Sequence, residues 1–238
     1  MRSKDREGDR KNILYKVWRV FKKVLLVGFL FSLLYLLYCK WFYPPFTITQ
    51  LVSVFSGSGL HRDYVRMREI NSNAKLAVMA AEDQLFPDHN GFDFKSIQKA
   101  MKHNQKSKSL RGASTISQQV AKNVFLWQHG GYFRKGLEVY FTFLIENVWG
   151  KKRILEMYLN VAEMGDGVFG VEAAANKYFH KPALNLSRTE SAMIAACLPN
   201  PSGYTIKPLS AHVSSRYPWI TRQMTHLQDD PDIIALIK

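Results

Sequence analysis

Acidic residues and cysteines are both scarce in this chain of 238 residues. Only 19 Asp and Glu stand against 33 Lys and Arg, a formal charge of +14. An excess of that size fits an anionic partner such as lipid headgroups, phosphates or nucleic acid. The two cysteines, Cys39 and Cys197, do not suggest a structural disulfide, since the first lies in an apolar run. No HExxH and no Cys/His pair at metal-ligand spacing occurs among the seven histidines. A Walker loop and a dinucleotide fingerprint are also missing, which removes the commonest nucleotide-dependent classes.

One long apolar run is present. Val24 to Cys39 holds sixteen residues without a charge, and continuing through Tyr43 makes twenty. Twenty residues of helix span about 30 Å, the thickness of a hydrocarbon core. Residues 1–23 carry nine Lys or Arg against three acids, leaving +8 for the rest of the chain. The positive-inside rule therefore places 1–23 in the cytoplasm and everything after Tyr43 outside it, with Trp41, Phe42 and Tyr43 as an interfacial belt. No small-residue cleavage site follows the run, so an uncleaved anchor is expected. That topology denies the nucleic-acid reading of the charge. The divisions expected are a basic tail (1–23), a transmembrane helix (24–43), a connecting region with a short β-like run (44–75), a main domain (76–230) and a polar tail (231–238).

The polar chemistry falls in blocks. In AAEDQLFPDHNGFD (80–93), a small apolar helix pattern ends at Glu82 before Pro87 and Gly91 break it. A carboxylate there is held by a helix yet can face a cleft, as a general base requires. Asp83 is about 100° further around the helix and does not share its site. A solvated helix-end acid is the plain alternative. Asp93 can cap a second helix, and KHNQKSKSLR (102–111) reads as either a solvated loop or a lid over an anionic substrate.

In RGASTISQQVAKN (111–123), Thr115 and Gln118 fit a capping box. Thr115, Gln118 or Gln119, and Lys122 recur along one helical face, suited to sugar hydroxyls and phosphate oxygens. In RKGLE (134–138), Arg134 and Glu138 are either a surface ion pair or a guanidinium and second carboxylate turned to the cleft of Glu82. KKRILEMYLN (151–160) reads as packing. EAAANKYFHKP, a Ser187–Glu190 capping box and a last amphipathic helix (Val213, Tyr217, Ile220, Met224, Leu227) complete the chain. Ser-x-x-Lys matches at Ser72–Lys75 and Ser96–Lys99 lack a following KTG and read as coincidence.

Five of these blocks, in this order and spacing, resemble the glycosyltransferase family 51 peptidoglycan synthases over about residues 76–198. Gly130 and Gly131 stand where some relatives carry a further basic residue. The resemblance implies a mainly α, lysozyme-like helical glycosyltransferase domain with one N-terminal transmembrane helix, polymerising lipid II at the inner membrane of a bacterium. It implies Glu82 as general base and Glu138 as a supporting carboxylate. Lys122 and Arg134 would stabilise the departing pyrophosphate, and Ser114, Thr115, Gln118, Gln119 and Lys135 would line the site. No organic cofactor is implied; a divalent cation (Mg or Mn) and cell-division or elongation partners stay open. Two rivals stand beside this reading. A muralytic glycosidase or lytic transglycosylase would need an acid aimed at a sugar leaving group. A non-catalytic wall-binding protein would not need Glu82 and Glu138 beside Lys122 and Arg134.

Overall fold

The computed structural model describes residues 2–107, 112–128 and 130–238, with side chains from Leu14 onward. It divides at residue 42 into two units. The first is one helix, α1 (Arg2–Trp41). Its stretch Leu14–Trp41, 28 residues containing an 18-residue window of mean hydropathy 2.1, is long enough to cross a membrane. The helix starts well ahead of Val24 because nothing between residues 2 and 23 breaks it, and it stops two residues short of Tyr43.

The second unit, Tyr43–Lys238, is built on α3 (Ser72–Glu82). Asn71 caps it, accepting a hydrogen bond from the Asn73 N–H at 2.9 Å. Every residue from Ala74 to Ala80 is buried, so the helix is covered on all sides, and its small side chains let neighbours approach closely. Those neighbours are α9 (Arg188–Cys197), α10 (Ala211–Leu227) and α11 (Pro231–Ile237). A second group joins α5 (Ile116–Phe125) to α6 (Tyr132–Val148) and α7 (Lys151–Val161). Phe125 stacks flat on Phe141 between α5 and α6, with centroids 4.5 Å apart. α4 (Phe94–Lys106) is capped by Asp93, as its sequence predicts. A small sheet, ordered β1-β3-β2, joins β1 (His61–Arg62) in parallel to β3 (Val168–Phe169), which pairs antiparallel with β2 (Glu163–Gly165). After β3, Gly170 adopts φ +86° and leads into α8 (Val171–Phe179); a Cβ there would stand 2.6 Å from the Asn160 carbonyl oxygen.

Two segments differ from the sequence reading. The β-like run of residues 46–54 is a helix, α2 (Ile48–Phe55), opened by a capping box between Thr47 and Gln50. It belongs to the compact unit, which starts at Tyr43, ahead of the expected boundary at residue 76. Asn160 and Glu156 on α7 stitch this early segment down. Asn160 accepts from the Val65 N–H at 2.8 Å and donates to the Val65 carbonyl at 3.0 Å. Glu156 accepts from the Tyr43 hydroxyl at 2.8 Å and the Met67 N–H at 2.9 Å. At the other end, residues 231–237 are helical because Asp230 caps them and Pro231 starts them. Ser72 and Lys75, the Ser-x-x-Lys match, both donate to the Ile237 carbonyl and so dock α11 against α3. Residues 102–111, read as loop or lid, continue α4 to Lys106, and 108–111 lie outside the described residues.

Asn160 is fully buried, so Asn160→Leu keeps volume but orphans the Val65 N–H and leaves the Val65 carbonyl with the Tyr43 hydroxyl alone. The expected cost is about 2–4 kcal/mol. A thermal melt of the detergent-solubilised chain should show a midpoint lower by roughly 5–15 °C; an unchanged midpoint rejects this account of residues 43–67.

Candidate active site

The site begins where α3 ends. Glu82 is the last helical residue and Asp83 the C-cap, and their carboxylates diverge as the helical angle requires. Buried Asp83 accepts from the Ile116 N–H at 3.0 Å, the first backbone donor of α5, and faces His89 Nε2 at 3.0 and 3.1 Å. His89 Nδ1 accepts from the Gly91 N–H at 3.2 Å, which leaves the ring's proton on Nε2, directed at Asp83. Gly91 has φ +86°, and a Cβ there would stand 2.7 Å from Thr142 Cγ2, so the loop is closed down on α6. Its carbonyl accepts from Thr115 Oγ1 at 2.7 Å. The 83–93 loop and the N-terminus of α5 are thus one hydrogen-bonded joint.

That joint sorts the residues of the 111–123 block. Thr115 and Gln118 are buried, and their polar atoms are engaged by the capping box and by Gly91. They hold α5 in place, whereas the sequence reading had them lining the site beside Gln119. Ser114 is exposed in the preceding loop. Gln119 turns to Glu82, donating from Nε2 to Oε2 at 2.7 Å. The amide orientation is set behind it by Tyr158, whose hydroxyl donates to Gln119 Oε1 at 3.1 Å. Tyr158 is 1% exposed. The sequence reading assigned its block to packing alone; the signal was a single hydroxyl on an otherwise apolar face.

Burial raises the pKa of the Glu82 carboxyl above the ordinary glutamate value, and the nearby charge of Asp83 adds to this. The Gln119 hydrogen bond and the positive charges of Arg216 and Lys122 oppose it without cancelling it. Arg216, on α10, was not singled out from sequence. Its guanidinium stacks on Trp219, 3.8 Å from the ring centroid, and an Arg three residues before a Trp on a helix was the available clue.

On the far side of Lys122 stand the residues of the RKGLE block. Glu138 is 3% exposed and accepts from Arg134 Nη1 at 2.7 Å and from Lys135 Nζ. The carboxylate is thus buried while the Lys135 side chain stays 45% exposed, in contrast to the wholly surface ion pair that is the alternative for this spacing. Arg134 Nε is buried without a hydrogen-bond partner, a donor that is costly to leave unmade. Lys122 has its pKa lowered, first by burial and then by Arg134 and Lys135, while Glu138 and Glu82 pull it upward. One lysine therefore feels both carboxylates, and Lys122, Arg134 and Lys135 outnumber Glu138 three to one. Among the described residues no three His, Cys, Asp or Glu side chains group as metal ligands.

The transglycosylase family profile matches residues 49–225. The chain belongs to the transglycosylase family. It is 57% identical over 172 residues to proteins named biosynthetic peptidoglycan transglycosylase from Shigella boydii serotype 4 and from Escherichia coli O9:H4, an alignment covering 72% of this chain and 71% of each relative. The transglycosylase is accordingly an enzyme of glycosyl transfer, mainly helical as its sequence predicts.

Asp83→Asn keeps the shape of the joint but removes the charge that faces His89. It should destabilise the transglycosylase by about 1.5–3 kcal/mol, the range for a hydrogen bond to a charged group. Urea unfolding followed by circular dichroism measures this; a change near zero shows that the joint does not need the ion.

Proposed function

We propose that the transglycosylase polymerises lipid II into β-1,4-linked glycan strands and releases undecaprenyl pyrophosphate. Glu82 removes the proton from the acceptor's GlcNAc 4-hydroxyl. That oxygen forms a bond to the anomeric carbon of the donor MurNAc as the bond to pyrophosphate breaks, inverting an α linkage to β. The electron pair leaves on the pyrophosphate, whose growing charge is met by Lys122, Arg134 and Lys135; the proton passes from Glu82 to solvent. Glu138 holds the two cations of α6 in position, and Ser114 borders the entrance. The anchor lies in the bacterial inner membrane with its basic end cytoplasmic and the catalytic unit periplasmic. A divalent ion, if used, would be bound chiefly by phosphate oxygens, since no cage of His, Cys, Asp or Glu occurs among the described residues. Cell-division or elongation proteins remain candidate partners.

The observation that supports this reading is a buried carboxylate, Glu82, coupled through the buried Lys122 to Arg134 and Lys135. A glycosidase needs a protonated acid on the leaving sugar and a second carboxylate across the bond. Both carboxylate oxygens of Glu138 are instead taken up by Arg134 and Lys135. The orphan Arg134 Nε is a donor suited to a phosphate oxygen. The names of the relatives agree with a peptidoglycan substrate.

Glu82→Gln should leave the fold intact and lower polymerisation of labelled lipid II by roughly 10²–10⁴-fold; near-normal turnover by the folded variant ends the assignment. The base must be ionised, so the rate should fall as pH drops through a midpoint above that of an ordinary glutamate. Gln119→Leu removes a hydrogen bond to the charged form, so that midpoint should move further up. A midpoint that stays put or moves down would assign the acid limb to another group.

Lys122→Met and Arg134→Leu should each raise the barrier by about 2–4 kcal/mol while weakening lipid II binding less, because the charge they meet grows in the transition state. Polymerisation rate and lipid II affinity are measured for each variant, with cleavage of purified sacculi by the parent as the control. Sacculus cleavage indifferent to both substitutions would make Glu82 a glycosidase acid.

A further inference from the structure

α2 is built inside out. Its buried residues are the polar Gln50 and Ser53, while Leu51, Val52 and Val54 are exposed and Phe55 is 87% exposed. The polar side chains have partners within the fold: Gln50 meets Tyr64 and Arg62, and Ser53 donates to the Gly59 carbonyl at 2.7 Å. The turn of α2 is therefore fixed, and its apolar face has no cover from the described residues of its own unit commensurate with its size. An exposed apolar stripe of this kind calls for an apolar occupant.

Beside it lies a cavity of about 410 Å³. Ile48 and Val52 of α2 form one wall, Trp127 and Gln128 a second, and Glu163 and Asp166 of the β2–β3 hairpin the far side. Thr49 on α2 accepts from Gln128 Nε2 at 2.8 Å, which fixes the two nearer walls to each other. Trp127 also faces the cationic cluster. Gly130 lies between them, and a Cβ built on it would stand 3.1 Å from Trp127 Nε1 and 2.9 Å from Arg134 Cβ. Along α5 the order is Gln119 at Glu82, then Lys122 in the last turn, then Trp127 two residues past the helix end.

We propose that this cavity and the exposed face of α2 receive the first part of the polyprenyl chain whose diphosphate sits on Lys122 and Arg134. The proposal rests on the polymerase reading given above and extends it to the leaving group's tail. Chain order supplies the direction: beyond a diphosphate held at Lys122, on the side away from Glu82, comes the lipid and not the sugar. Charge supplies the polarity. Among the described residues the cavity lining holds no Lys or Arg but does hold the carboxylates of Glu163 and Asp166, so a diphosphate is disfavoured inside it and favoured outside it, beside Arg134. The destination is supplied by the sequence, since only residues 42–47 separate α2 from the membrane-length helix.

The test uses the full chain in lipid nanodiscs with inorganic pyrophosphate, geranylgeranyl diphosphate, geranylgeraniol and a benzophenone-bearing prenyl diphosphate as probes. The parent should bind the prenyl diphosphate roughly tenfold or more tightly than pyrophosphate, as burial of a few methylene groups requires, and mass spectrometry should find the photolabel on residues 48–52 or Trp127. Val52→Glu and Trp127→Ala, both at accessible positions, should lose most of that gain and leave pyrophosphate binding unchanged. Variants that keep the gain overturn the proposal, as does labelling confined to other segments. Val52→Glu that loses vesicle flotation but retains the gain makes α2 a bilayer contact and likewise overturns it. Block of the photolabel by a GlcNAc oligosaccharide, with no competition from the prenyl alcohol, makes the cavity a sugar site and overturns it too. Failure of pyrophosphate to bind, while geranylgeraniol still protects residues 48–52, removes the diphosphate clamp and leaves the apolar site standing.

Discussion

The hydrogen bond from the Ile116 N–H to Asp83, 3.0 Å long, joins the C-terminus of α3 to the N-terminus of α5, and the catalytic arrangement depends on that joint. α3 is buried on every side and has no freedom to shift. A carboxylate at its end, placed against the first free N–H of the next helix, satisfies an orphan donor and favours negative charge at a positive helix end. With α5 fixed in this way, Gln119 meets Glu82 one turn along, and Lys122 follows on the next turn. Asp83 therefore has a different task from Glu82, the proposed base, and adjacency in sequence is what lets one helix end carry both.

Much of this was legible before any coordinates, and the reasons are local. Pro87 and Gly91 bracket the break after Glu82, and the Thr115–Gln118 box announces α5, because caps and breakers act within a few residues. α2 was misread because its apolar residues do not face the core; a pattern reader assumes that they do, while Thr47–Gln50 carried the correct signal. The C-terminal helix was hidden for a similar reason, with Asp230 and Pro231 as its only short-range marks. The Arg216–Trp219 spacing and the lone Tyr158 hydroxyl mark those residues but cannot place them at the site, since each reaches it from a helix remote in sequence. Thr115 and Gln118 were correctly seen as polar and correctly paired, but a capping residue and a ligand-binding residue have the same letters. Only burial tells them apart.

Burial acts on the two sides of the cleft with opposite sign. It raises the Glu82 carboxyl and lowers the Lys122 ammonium, so each is moved toward its neutral form. Their mutual attraction opposes both shifts, which keeps base and cation in balance while the cleft holds no substrate. In the proposed reaction a diphosphate arrives next to Lys122. Its negative charge favours the ammonium, so the lysine regains the charge that it needs when the leaving group departs. The same negative charge makes the neighbouring carboxylate more basic. Both consequences have the sign that catalysis requires, and neither calls for a conformational change. A site with an acid in place of the cationic cluster would lack this coupling: an uncharged donor gives the base no help when substrate binds. In that proposed reaction the cationic side would meet the charge of the leaving group and, through Lys122, oppose the rise in the Glu82 pKa that burial causes.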